Sequence, residues 1–182
     1  MDRRVLRTKR MLKDALLELL KDSEIEEITI SELCRKADVN RNTFYAHYSV
    51  PADLLREIED DLVSSILKQV APDIQQGDYE LLLTNVFTSL ANSAPMSKVM
   101  QYSIRSGDLM RKFINQVKPQ VIAIWENQFS LSQEDINIIY EYTTGGTVTL
   151  LKEWMEGNFQ ETPEAMAEKA AKLNQMVIGS FG

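Results

Sequence analysis

Residues 28–48 read Ile28-Thr29-Ile30-Ser31-Glu32-Leu33-Cys34-Arg35-Lys36-Ala37-Asp38-Val39-Asn40-Arg41-Asn42-Thr43-Phe44-Tyr45-Ala46-His47-Tyr48. Thr29 and Glu32 form a T-x-x-E capping box, which opens a short helix running through Ala37. Asp38-Val39-Asn40 breaks that helix, and Asn40 is a good N-cap for another short one, Arg41 to Tyr48. Two short helices joined by a three-residue turn make a helix-turn-helix, whose second helix lies in the DNA major groove. Leu33, Ala37, Val39 and Phe44 have the spacing to pack the two helices together, with the small Ala37 where they cross. Asp38 stands where glycine would be easier, but Asp tolerates left-handed backbone better than most residues, so the turn still forms.

That packing turns Arg41, Asn42, Thr43, Tyr45 and His47 outward. Arg41 suits guanine O6/N7 and Asn42 suits adenine N6/N7, while Thr43 and Tyr45 suit phosphate oxygens. Thr29 and Ser31 open the preceding helix, where backbone N–H groups and the helix dipole favour a phosphate. His47, the only histidine, reads as a surface DNA contact rather than a pH sensor; Cys34, the only cysteine, reads as a small buried apolar residue rather than a redox sensor. Upstream, Leu12, Ala15, Leu16, Leu19 and Leu20 mark one face of a first helix over residues 3–22. Its start carries Arg3, Arg4, Arg7, Lys9, Arg10 and Lys13, and the geometry sets Arg3, Arg4, Arg7 and Thr8 near the flanking DNA backbone.

Downstream the periodicity stays helical. Pro51 suits the first turn of a fourth helix with Leu55, Ile58, Leu62 and Ile66 on one face, ending near Pro72. Further helices follow: one with Leu82, Val86 and Leu90, a short one between Ala94-Pro95 and Gly107, and a longer one from Asp108 to Phe129 that Pro119 kinks. Ser132 caps the next, whose stripe runs from Ile136 to Trp154, and Thr162-Pro163 opens the last. The expectation is an all-α chain of nine helices, with a DNA-binding domain at 1–50, a regulatory and dimerisation domain at 51–182, and the helix from 51 to about 71 connecting them.

Composition narrows the function classes. One Cys and one His exclude a disulfide framework and a Cys/His zinc cage, and no Glu-x-x-His pair supports a di-iron site, so neither metal nor cofactor is expected. No apolar run reaches 18 residues, which fits a cytoplasmic protein without a membrane partner. No arrangement of nucleophile, base and orienting group suggests an enzyme. The net charge of −7 hides an asymmetry: residues 1–50 hold 10 Lys/Arg against 9 Asp/Glu, residues 51–182 hold 10 against 18. The amino-terminal end is the one suited to a polyanion.

The order of a basic first helix, T-I-x-E-L-x-x-x-A-x-V at 29–39, N-R-N-T-F-Y-A-H-Y at 40–48 and D-L-L at 53–55 resembles the N-terminal domain of TetR-type transcriptional regulators. The motif covers about a third of the chain, and Thr144-Gly145-Gly146 with Lys152-Glu153-Trp154 resembles the regulatory domain of one subgroup. The resemblance implies a homodimer on a palindromic double-stranded DNA operator, usually a repressor released by a small-molecule effector. One departure is Val50-Pro51-Ala52, where the family commonly has a phosphate-touching Lys; with Glu57, Glu59, Asp60 and Asp61 nearby, a shallow salt dependence is expected.

Phe87, Tyr102, Phe113, Trp125 and Tyr140 are candidates to line an effector cavity, although aromatics at helical spacing are more often plain core. Gly145 and Gly146, costly inside a helix, are read with Thr149, Ala167 and Ala170 as a face meeting a second copy. The alternative function is a helical adaptor or co-activator that keeps the helix-turn-helix but works through a protein partner.

Overall fold

The fold is that of a computed structural model, which describes residues 3–77, 79–92, 108–157 and 159–181. Among them are eight helices and no strand: α1 (Arg3–Leu19), α2 (Ile30–Ala37), α3 (Arg41–Tyr45), α4 (Pro51–Gln76), α5 (Tyr79–Asn92), α6 (Asp108–Gln128), α7 (Gln133–Glu156) and α8 (Pro163–Gly179). The all-α expectation holds. The short helix expected before Gly107 falls outside the described residues, as does Tyr102. The described chain forms two compact units, one through Leu62 and one from Val63 onward, so the division falls inside α4.

In the first unit, Leu12, Leu16, Leu33, Phe44 and Leu54 are sealed from solvent, with Cys34, Ala37, Tyr48 and Ile58 around them. The local chemistry follows the sequence closely. Thr29 caps α2, its Oγ1 accepting from the Glu32 N–H at 3.2 Å. Asp38 adopts the left-handed conformation, φ 52° and ψ 45°, and the Val39 N–H donates to the Cys34 carbonyl at 3.0 Å to close α2. Asn40 Oδ1 then accepts from the Asn42 N–H at 2.8 Å and opens α3. α3 ends at Tyr45, short of the expected Tyr48. The Phe44 carbonyl accepts from both the His47 and Tyr48 N–H groups at 2.9 Å, tightening the last turn. Asp53 receives the Ser49 and Val50 N–H groups at 2.9 and 3.1 Å, so the start of α4 is capped from within.

α4 does not stop near Pro72. Proline removes one backbone donor, yet Ile66, Val70 and Ile74 continue a buried stripe at four-residue spacing, and burying Val70 and Ile74 outweighs the lost bond. The helix ends instead at Gly77, left-handed at φ 70°. In the second unit α5 packs on α8, α8 on α7, and α7 on α6. Ser132 and Thr162 cap α7 and α8 as their sequence positions suggest, with Pro163 in the first turn of α8. Past the end of α7, Phe159 sits at φ 55°, a conformation rare for a bulky residue, and its ring meets Trp154 edge-on at 4.7 Å.

Candidate nucleic-acid interface and effector cavity

Phe44 decides which side of α3 faces out. With its ring sealed in the core and set against Tyr48 at 5.7 Å, the side chains of Arg41, Asn42 and Tyr45 project into solvent, Tyr45 59% exposed. Thr43 and His47 are half-buried at the edges of this face, His47 against the Tyr48 ring at 6.2 Å. A guanidinium, a carboxamide and a phenol thus stand free on a short helix held from beneath, which is the geometry base and phosphate contacts require. Thr29 and Ser31 are exposed at the start of α2, although the Thr29 hydroxyl is already engaged as its cap. On α1, Arg4 is exposed and Thr8 half-buried.

Not every cation of the basic end faces outward. Lys9 and Lys13 reach Glu57 on α4 at 2.7 and 2.8 Å, Lys13 also pairs with Asp61, and the Tyr48 hydroxyl donates to Glu57 at 3.0 Å. Partial burial alone would raise the Glu57 pKa; the bonds from Lys13, Lys9 and Tyr48 outweigh it and hold the carboxyl down at about 2. Burial first, then Glu57, pushes the Tyr48 phenol above its ordinary range. Glu57 and Asp61 are therefore largely neutralised, and Arg3, Arg7 and Arg10 remain exposed to supply positive field. Sequence spacing placed both the basic residues and the acidic ones; it carried no sign that they pair across α1 and α4.

In the second unit a cavity of about 70 Å³ lies among α5, α6 and α7. Phe87, Phe113 and Tyr140 line it, together with Tyr79, Thr144 and Thr147. Trp125 does not; it stands behind the wall, 6.1 Å from both the Tyr79 and Tyr140 rings. Leaving such a space unfilled costs roughly 1–2 kcal/mol. The space exists because α7 presents Thr144, Thr147 and Val148 where larger residues would fill it. That run of short side chains, beside the two glycines, is the signal the aromatic-based reading missed.

The face expected to meet a second copy is split by the structure. Ala167 and Ala170 are 0% and 1% exposed within the single chain. They therefore do not face a mate: they let α8 sit close to its own neighbours, and their small size serves that packing. Gly145, Gly146 and Thr149 are exposed, and a Cβ added at either glycine meets nothing within 4 Å. Beside them Ile138 and Tyr142 on α7 and Leu173 and Met176 on α8 stand in solvent, Tyr142 at 68%. Asn174 donates to Thr147 at 3.0 Å and ties these two helices together.

Residues 78–176 match the family described as the transcriptional regulator C-terminal region of TetR type. The chain belongs to the TetR family of transcriptional regulators. The regulator is 24% identical over 165 residues to the HTH-type transcriptional regulator YxbF of Bacillus subtilis (strain 168), and the match takes in 89% of this chain. The chain spans only 43% of that relative's length. Its fold is similar to that of the dihydroxyacetone kinase operon activator DhaS, with TM-score 0.69 and 17% identity over 96% of this chain and 97% of DhaS. It is also similar to FadR from Bacillus subtilis, solved in complex with stearoyl-CoA, with TM-score 0.67 and 16% identity over 91% and 96% of the two chains. No helix among the described residues of the regulator is long and apolar enough to cross a membrane.

Proposed function

We propose that this regulator binds a palindromic operator as a cytoplasmic homodimer and represses transcription until a small effector enters the cavity among α5, α6 and α7. The observation that carries the DNA half of this reading is the exposed Arg41-Asn42-Tyr45 face, set on a helix that the buried Phe44 holds in place. Arg4, Thr8, Thr29, Ser31, Thr43 and His47 flank that face as backbone contacts. The exposed apolar stripe of Ile138, Tyr142, Leu173 and Met176 around Gly145, Gly146 and Thr149 supports self-association, since exposed large side chains in one patch need a cover. Two-fold symmetry then sets half-sites on one DNA face, at least one helical turn (~34–36 Å) apart. Release follows from linkage: the effector must bind the conformation that fits the operator poorly better than the one that fits it well.

A second reading, an adaptor or activator working through a protein partner, draws on the engagement of Lys9 and Lys13 by Glu57, which leaves less free cation for DNA. Selection of binding sites from random duplex DNA by the purified chain separates the two. A palindromic consensus that is lost in Arg41→Ala and Tyr45→Ala supports the operator-binding dimer. Weak binding that is blind to sequence puts the adaptor reading first.

A further inference from the structure

We infer that the cavity among α5, α6 and α7 takes an uncharged aliphatic chain, an inference that rests on the effector reading above. None of the described residues lining the cavity is charged. Two of the polar groups in its wall, Tyr140 and Thr147, are already engaged within the chain. The Tyr140 phenol reaches the Ile114 carbonyl at 3.3 Å, and Thr147 Oγ1 donates to the Thr143 carbonyl at 2.8 Å while accepting from Asn174. Burial pushes the Tyr79 and Tyr140 phenols up to about 12, so neither ionises near neutral pH. Among the described residues no buried side-chain nitrogen or oxygen lacks a partner.

A ligand entering this space therefore meets no counter-charge among the described residues, and few polar groups that are not already engaged. A carboxylate, phosphate or ammonium carried inside would lose its hydration with nothing in return. A hydrocarbon chain loses only unfavourable contact with water. Shape narrows the class further: 70 Å³ is about half of the roughly 150 Å³ apolar cavity that accepts benzene, so the space suits a slender chain rather than a ring. The walls combine the broad rings of Phe87 on α5 and Phe113 on α6 with the short side chains of Thr144 and Val148 on α7.

The test is calorimetric titration of the purified full chain, without DNA, against 1-butanol, 1-hexanol and 1-octanol and the matching carboxylates and amines at neutral pH. The expected result is binding of the alcohols that tightens about fourfold per added methylene until the cavity is full. Carboxylates and amines of the same length are expected at least tenfold weaker. Val148→Phe, which fills the space, removes alcohol binding without lowering the melting temperature of the free chain. Binding of the charged series equal to the alcohols, absence of chain-length dependence, or no binding of any alcohol would each overturn the inference. The comparison of alcohols with carboxylates on the unaltered chain holds even where Val148→Phe folds poorly. Since no DNA is present, failure to select an operator with alcohol binding intact counts against the repressor reading alone. Operator release by a charged effector, with no alcohol bound, counts against the aliphatic chain alone.

Discussion

The hydroxyl of Tyr48 donates to the carboxylate of Glu57 at 3.0 Å, and the same carboxylate takes Lys9 at 2.7 Å and Lys13 at 2.8 Å. Lys9 also lies 5.4 Å from the centre of the Tyr48 ring. One side chain thus joins α1, the segment after α3, and α4, and the orientation of α3 depends on that junction as well as on Phe44. Two cations that the sequence offers to DNA instead hold the helix-turn-helix in shape.

The junction gives the first unit an acid-sensitive element. The Glu57 pKa falls from an ordinary 4.5 to about 2 on folding, so its stabilisation is fully present above the ordinary value and is lost as the pH drops from 4.5 through 2. Glu57→Gln is expected to lower the melting temperature by a few degrees at pH 7, and the gap from the unaltered chain should close toward pH 2. Thermal unfolding followed by circular dichroism over that range checks it; a gap that stays constant with pH would mean the ion pairs contribute nothing to folding.

Salt dependence distinguishes the engaged cations from the free ones. Arg7, exposed on α1, should lower the slope of log K against log salt by about one when changed to Ala, provided it meets a phosphate. Lys9→Ala should leave that slope unchanged, since Lys9 is committed to Glu57. Operator titrations at several salt concentrations read both. Equal slope losses for the two variants would show that DNA draws Lys9 out of its pair.

Arg41→Ala is expected to weaken operator binding by about 1–3 kcal/mol and to relax preference at a single base pair. The measurement is competition between the consensus and sites altered one position at a time. A loss uniform across all sites would assign Arg41 to the phosphate backbone instead.

The helix-turn-helix was legible because each step has a local signature: Thr29 and Asn40 as caps, Asp38 in the left-handed turn, Phe44 inward between outward neighbours. Long-range choices were not. Nothing in the spacing says that Lys9 finds Glu57, 48 residues away. Pro72 looked like a stop because its local cost is visible, whereas the burial of Ile74 that outweighs it is a property of the packed unit. Ala167 and Ala170 looked like an outer seam for the same reason: small residues mark a close approach, and sequence alone does not tell whether the approaching helix belongs to the same chain or to another.

Cys34 tests the core directly. Burial pushes its thiol above the ordinary value, with Arg41 pulling only partly the other way, and the side chain is nearly sealed. An aromatic disulfide reagent is expected to modify it slowly in the native chain and rapidly after unfolding in urea. Fast native labelling would mean that α2 opens readily from the unit.

The glycines of α7 carry the sharpest test of self-association. In the single chain Gly145 and Gly146 face open space, so a methyl group at either one clashes with nothing and should stabilise the helix by about 1 kcal/mol. If a second copy covers that face, the same methyl holds two backbones apart. Gly146→Ala should therefore raise the melting temperature where the chain is dilute and monomeric, and weaken the dimer where it is concentrated. Tyr142→Glu, placing charge in the exposed stripe at a position 68% accessible, should shift the chain toward monomer without unfolding it. Sedimentation velocity over a range of concentrations reads both variants. A wild-type chain that stays monomeric at high micromolar concentration, or a dimer indifferent to Tyr142→Glu and Gly146→Ala alike, would place the dimer contact elsewhere or remove it.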